Sequence, residues 1–167
     1  YRPATARLTV GNADADVFAV PYGLSLAKNH MWMRKEEDGT VTLGVDKFLS
    51  RTIGTPGEVL LPSVGTVVTH ASTDLALHSG SRRMWMQSPV VGRVVDINDE
   101  ALKNPGIVNQ DPYRQGWLMR VRVFSELDKS SRFLIEHPTE WLREQFRAAA
   151  GFLISRTPAP SMVTMQD

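Results

Sequence analysis

The pattern of hydrophobic and polar positions predicts a hairpin and a short helix in the first half of the chain. Residues 31–45 form two runs in which apolar positions alternate with small or polar ones, and Glu37-Asp38-Gly39 between them suits a turn. Asp46 is a suitable helix N-cap and Gly54 a suitable C-terminal stop, so we expect a helix through Ile53.

Two further periodic segments lie in the second half. Residues 117–124 alternate apolar side chains with Arg120 and Arg122, which predicts a half-buried strand. Between about Thr139 and Ile154, apolar residues recur every three to four positions, which predicts a C-terminal helix. Residues 99–109 suit a short helix or a loop, because Asn104-Pro105-Gly106 favours a turn.

A short sequence occurs twice in the middle of the chain. PSVGTVV at 62–68 and PVVGRVV at 89–95 share five of seven positions, at an offset of 27 residues. Each copy supplies Pro and Gly for a turn and then a β-branched run for a strand. The repeat therefore predicts a small β structure with internal two-fold pseudo-symmetry.

The segment between the two copies predicts a second hairpin with an exposed tip. Residues 75–78 and 83–86 read as strands on either side of the turn at 79–82. Because strand side chains alternate between faces, either Trp85 or the pair Met84 and Met86 points outward. A large apolar side chain is therefore expected on the surface of this hairpin.

Composition narrows the functional classes. The 167 residues are 42% hydrophobic and 22% charged, which fits one ordinary globular domain, and the net charge of +1 favours neither nucleic acid nor an anionic membrane. The chain lacks cysteine, and no apolar run approaches the ~20 residues of a membrane span. The histidines lack metal-ligand spacing, and no paired carboxylates or phosphate loop indicates an enzyme.

Five motifs are distributed along residues 21–155. They are His30-x-Trp32-x-Arg34, Leu61-Pro62-x-Val64-Gly65, Ser88-Pro89-Val90-x-Gly92, Asp111-Pro112-Tyr113 and Gly116-Trp117-Leu118. Together these motifs resemble the glycine cleavage system H protein family. Generic lipoyl and biotinyl domains lack the Asp-Pro-Tyr…Gly-Trp-Leu segment.

The resemblance implies a mostly β fold of lipoyl-domain type. This is a flattened β-barrel, or barrel-sandwich hybrid, of two small sheets, with a short internal helix and a C-terminal helix. The resemblance also implies a carrier role. In the family, a lipoyl group on a hairpin lysine carries an aminomethyl unit between glycine decarboxylase, aminomethyltransferase and dihydrolipoyl dehydrogenase.

The residues at the hairpin tip depart from this chemistry. Aligned without gaps from Ser88 back to His78, the family lysine falls on Ser81, which has no amine to acylate. Arg82 cannot replace a lysine, because its guanidinium stays protonated and is a poor nucleophile. The acidic flanks usual in the family are replaced by His78 and Trp85. We therefore expect neither covalent lipoyl nor any other cofactor or metal.

Two functional hypotheses follow. The first is a non-catalytic interaction or structural module, a subunit or adaptor of a larger protein assembly. The alternative is a lipoyl-type aminomethyl carrier of the glycine cleavage system. The arginines of the tip suit an acidic partner or a phosphate, although a solvated turn is the more ordinary explanation. The candidate interaction residues are Arg82, Arg83, Met84, Trp85 and Met86.

The expected organisation is an extension at residues 1–20, the H-protein-like domain at 21–155 and a flexible tail at 156–167. We expect protein partners, no nucleic acid and no direct membrane insertion. A cytoplasmic location is the simplest expectation. Because the chain begins with Tyr1 rather than Met, an upstream targeting segment is compatible with it.

Overall fold

The computed structural model describes residues 19–124 and 134–156, with side chains up to residue 150. Most of the predicted extension (1–20) and nearly all of the predicted tail (156–167) lie outside the described residues.

The first hairpin and helix form as their sequence predicts. Strands β1 (Ser25–Leu26), β2 (Met31–Lys35) and β3 (Thr40–Val45) pair antiparallel in chain order. Helix α1 (Lys47–Ile53) begins after Asp46, whose side chain accepts a hydrogen bond from the Leu49 N–H, and ends at Gly54. The predicted cap and stop are both confirmed. Each satisfies backbone groups that a helix end leaves without a hydrogen-bond partner.

Nine strands form two antiparallel sheets in the described part of the chain. The larger sheet has the order β1-β2-β3-β9-β8-β5, and the smaller has the order β4-β6-β7. The remaining strands are β4 (Glu58–Leu60), β5 (Val67–Val68), β6 (Ala76–Ser79), β7 (Arg82–Trp85), β8 (Gly92–Ile97) and β9 (Met119–Val123).

The two sheets share one apolar core. Met31 and Val121 of the larger sheet and Val59 and Leu77 of the smaller sheet belong to the same buried cluster. The described sheets do not close into a continuous barrel. The architecture is therefore the expected barrel-sandwich type, in which two small sheets bury one face each against the other.

The two copies of the repeated sequence pair directly with each other. Val67 lies opposite Arg93 and Val68 opposite Gly92, in antiparallel register. Each copy thus supplies one strand, as the repeat predicts, and the structure adds that the two strands are neighbours in one ladder.

The remaining helices surround the sheets. They are α2 (Asp99–Lys103), α3 (Ile107–Gln110) and α4 (Pro138–Arg156). Helix α4 extends the predicted 139–154 element and packs Leu142 beside Leu26, Trp32 and Tyr113 in a second buried cluster. Among the described helices, none combines the length and the apolar character that crossing a membrane requires.

Candidate functional site

The β6–β7 hairpin carries the residues that the sequence singled out. Ser79 pairs with Arg82, so only Gly80 and Ser81 form the turn, and Gly80 has a φ of 61°. A two-residue turn with positive φ matches the right-handed twist of the flanking strands. Both turn residues are exposed, so the predicted tip is present on the surface.

The candidate interaction residues do not all lie on the surface. Arg82 and Arg83 are exposed, Trp85 is 52% exposed, and Met84 is half-buried against the core. Met86 is only 3% exposed and belongs to the main core, so it does not contribute to the exposed surface of the hairpin. Of the two faces that alternation allowed, the structure exposes the one with Trp85.

Two arginine contacts shape the tip. Arg82 Nη2 donates to the Thr52 carbonyl oxygen at 2.6 Å, which joins the tip to the last turn of α1. The Arg83 guanidinium lies 5.5 Å from the centre of the Trp85 ring, within cation–π range. The outer face of β7 therefore combines positive charge with aromatic surface.

The apex offers a hydroxyl and no amine. Ser81 stands at the tip, and no lysine occurs from residue 48 to residue 102. Lys28, Lys35, Lys47 and Lys103 lie on other elements, and Lys129 falls outside the described residues. No hydrogen bond joins Ser81 to His78 in the described part of the chain, where His78 Nδ1 instead lies 3.3 Å from Glu58 Oε1. The geometry thus shows no activated serine.

A groove of about 390 Å³ runs between β7 and α1. One wall is Met84–Gln87, and the other is α1 with the turn before β2. The second wall is formed by Asn29, His30, Phe48, Leu49 and Thr52. Sequence reasoning missed this second wall, because it is distant in sequence and no local motif connects it to the hairpin.

A hydrogen bond to a buried carboxylate holds the second wall together. His30 Nδ1 donates to Asp46 Oδ2 at 2.7 Å, and Asp46 is fully buried. The His30 ring stacks between Phe48 and Trp141, with ring centres 4.5 and 4.6 Å away. These contacts give His30 a packing role, and they connect α1 to α4.

The Asp111-Pro112-Tyr113 segment makes structural contacts. The Trp32 indole N–H donates to the Pro112 carbonyl oxygen at 2.9 Å, and the Tyr113 hydroxyl accepts from the Lys47 N–H at 3.1 Å. The segment thus connects β2 to the start of α1. No group of three metal-ligating side chains occurs among the residues that the structure covers.

Comparison with known proteins identifies the family. The family model for the glycine cleavage H-protein matches residues 24–144. A glycine cleavage system H protein from Enterobacter sp. (strain 638) is 36% identical over 109 residues, covering 65% of this chain and 84% of the relative. One from Streptomyces avermitilis is 37% identical over 106 residues, covering 64% and 85% respectively.

A solved structure shares the fold. The crystal structure of a glycine cleavage system H protein from Mycobacterium marinum aligns with a TM-score of 0.59 at 26% identity, covering 64% of this chain and 87% of that one. The motifs, the two-sheet architecture and the matched family model agree. This chain belongs to the glycine cleavage H-protein family.

Proposed function

We propose that this chain is an H-protein-fold module that docks onto a protein partner without a covalent lipoyl arm. One observation carries the proposal: the exposed apex of the β6–β7 hairpin is Gly80-Ser81 and holds no lysine. The nearest lysines in the sequence are Lys47 and Lys103, which lie on other elements. A swinging arm needs an acylatable amine on a long stem at that apex. A serine hydroxyl has neither the amine nor the reach.

The outer face of the hairpin supports a docking role. Trp85 is 52% exposed beside Arg83, and both residue types are enriched in the centres of protein interfaces. As a member of the H-protein family, the chain is a non-catalytic protein. The relatives are named for the glycine cleavage system, so we propose that the partner is a protein of that system or of a similar assembly.

The second candidate is the lipoyl-type carrier of aminomethyl groups, and the comparisons favour it. The relatives that match this chain over about two thirds of its length are named as H proteins of the glycine cleavage system. The chemistry of the apex opposes it, because no residue of the hairpin offers an amine. The two candidates differ in one measurable property, the attachment of lipoate.

Intact-mass spectrometry tests that property. The full chain is expressed with lipoate and a lipoyl ligase, beside an unmodified H protein that carries the hairpin lysine as positive control. We expect the control to gain the lipoyl mass and this chain to stay unmodified. A lipoyl adduct on this chain would establish the carrier instead. The Ser81→Lys variant is the matched control, because it restores an amine at the apex. A lipoyl adduct on the variant but not on the unaltered chain would show that the missing lysine is what prevents attachment.

A competition assay tests the docking role. Glycine cleavage is reconstituted with a lipoylated H protein, and an excess of this chain is added. We expect inhibition, because the unmodified module occupies the docking site without supplying the arm. The variant with Arg82, Arg83 and Trp85 changed to Ala should relieve it. Stimulation of the reaction would favour the carrier, and an absence of any effect would exclude docking on these partners.

A further inference from the structure

Strand β7 is an edge strand with open backbone groups. Met86 N–H donates to the Leu75 carbonyl oxygen at 2.9 Å, and Leu77 pairs with Met84 two residues further along. Because antiparallel pairs alternate between bonded and non-bonded, the N–H and C=O groups of Arg83 and Trp85 point away from β6. Within residues 19–124 and 134–156, no hydrogen bond reaches these outward groups.

The groove described above lies along this open edge. Its walls are largely apolar: Phe48 and Leu49 of α1 face Met84 and Trp85 of the hairpin. An extended peptide placed in the groove meets hydrogen-bonding groups on one side and apolar surface on the other. This combination is what strand addition to a sheet edge requires, since the backbone gives affinity and the side-chain pockets give specificity.

The charge around the groove favours an acidic occupant. Arg82 and Arg83 stand at its tip end, and Arg51 is exposed in the last turn of α1. The nearby carboxylates are engaged: Asp46 is buried under His30, and Glu58 pairs with His78 on the far strands. A second copy of this chain is a poor occupant, because its own β7 carries Arg82 and Arg83 and no carboxylate.

We propose that β7 receives an extended, acidic segment of a protein partner, which becomes the fourth strand of the β4-β6-β7 sheet. Apolar side chains of the segment pack into the groove, and carboxylates on the alternate positions meet Arg83 on the outer face of β7. The inference rests on the proposed function, because it names the partner chemistry for the same hairpin.

Synthetic peptides of about ten residues test the inference with the full chain. One peptide alternates Glu and Val, and the other alternates Lys and Val. Isothermal titration calorimetry should detect binding of the acidic peptide and none of the basic one. Amide hydrogen exchange should show protection of Arg83 and Trp85 when the acidic peptide is present. A lack of binding by the acidic peptide, or bound peptide without this protection, overturns the inference.

Backbone substitutions separate strand addition from simple side-chain contact. Trp85→Pro removes an outward N–H that β6 does not use, whereas Trp85→Ala removes only the ring. We expect at least about a tenfold larger loss of affinity for the proline variant than for the alanine variant. Equal losses overturn strand addition. N-methylated acidic peptides give the same test without altering the protein. One peptide is N-methylated at its odd positions and another at its even positions. Only the peptide whose methyl groups face β7 should lose binding.

Charge reversal and self-association complete the design. Arg83→Glu should weaken binding of the acidic peptide and allow binding of the basic one. Unchanged selectivity overturns the acidic partner.

Sedimentation of the free chain should show a monomer. A dimer that the acidic peptide fails to dissociate overturns the inference in favour of a second copy. The proposed function is tested separately by intact-mass spectrometry, where a lipoyl adduct on this chain would contradict it.

Discussion

At the scale of single residues, the internal repeat uses the same glycine for two different reasons. Gly65 of the first copy has a φ of 96° and open space where a Cβ would lie. Gly92 of the second copy lies in β8, where a Cβ would be 2.3 Å from the Arg122 carbonyl oxygen. One position therefore needs the conformational freedom of glycine, and the other needs its lack of a side chain.

This difference predicts opposite tolerances at equivalent positions. Gly92→Ala should lower the free energy of unfolding by about 3 kcal/mol, because backbone rather than a flexible side chain must move. Gly65→Asn should cost less than about 1 kcal/mol, since Asn adopts positive φ more readily than most residues. Urea unfolding of both variants measures the effect. A Gly92→Ala protein as stable as Gly65→Asn would contradict the close approach.

Glu36 gives the molecule a pH dependence. The Thr42 hydroxyl donates to its carboxylate at 2.5 Å and Arg34 Nε at 3.0 Å, and together they hold the pKa of Glu36 below its ordinary value of 4.5. A depressed folded-state pKa contributes stability that is present above pH 4.5 and is lost as the pH falls through the folded-state value.

The Glu36→Gln variant should therefore lose part of the acid dependence of unfolding. At neutral pH we expect a loss below about 1 kcal/mol, because the carboxylate is partly exposed and screened by solvent. Below pH 4.5 the stability of the variant should fall less steeply than that of the wild type. Denaturant unfolding across this range checks the result, with Glu37→Gln as the exposed neighbouring control. If the stability of the wild type and that of the variant fall equally steeply below pH 4.5, the prediction is wrong.

At the scale of elements, one buried carboxylate organises the wall of the groove. Asp46 Oδ1 accepts from the Leu49 N–H at 2.8 Å and so caps α1, while Oδ2 accepts from His30. The cap fixes where the helix begins, and the histidine contact fixes the turn before β2 against it. The two contacts share one side chain, so a single carboxylate joins the start of α1 to the turn before β2.

Substitutions at Asp46 should separate these two contacts. Asp46→Ala removes both and should cost about 3 kcal/mol, since a cap is worth about 1 kcal/mol and His30 is left without its buried partner. Asp46→Ser keeps a capping oxygen and should recover about 1 kcal/mol of that loss. Thermal unfolding followed by circular dichroism measures both, and equal losses would show that the cap contributes nothing.

At the scale of the whole molecule, α4 closes a second core that the sheets alone leave open. Leu142 is fully buried beside Trp32 and Leu26, and Trp141 covers the His30 ring from the opposite side to Phe48. The C-terminal helix thus supports the turn that forms one wall of the groove. Docking of α4 and the shape of the groove are coupled through His30.

Leu142→Ala should loosen α4 more than the sheets. Deleting a buried leucine side chain costs about 2–5 kcal/mol, and the loss falls on the smaller cluster. Hydrogen exchange should accelerate across α4, while amides of β3 and β9 change little. Glu144→Ala on the exposed face of the same helix is the matched control and should leave exchange unaltered. Uniform acceleration throughout the chain would show that the two cores unfold as one.

The sequence by itself determined the elements with local signatures. Alternation around Glu37-Asp38-Gly39 specified the first hairpin, the residues Asp46 and Gly54 specified the ends of α1, and the repeat specified two strands, whose pairing with each other the tertiary structure decided. These features depend on neighbours within a few positions, where side-chain period and backbone preference act directly. The lysine-free apex is likewise a property of the sequence alone.

Only the tertiary structure decided which surface the hairpin presents. Alternation left two faces equivalent, and the shared core chose between them by burying Met86 and exposing Trp85. The groove and the open edge of β7 arise because α1, some 30 positions earlier, packs against the hairpin through Arg82 and Thr52. Such contacts depend on how distant segments share one buried volume, which no local periodicity encodes.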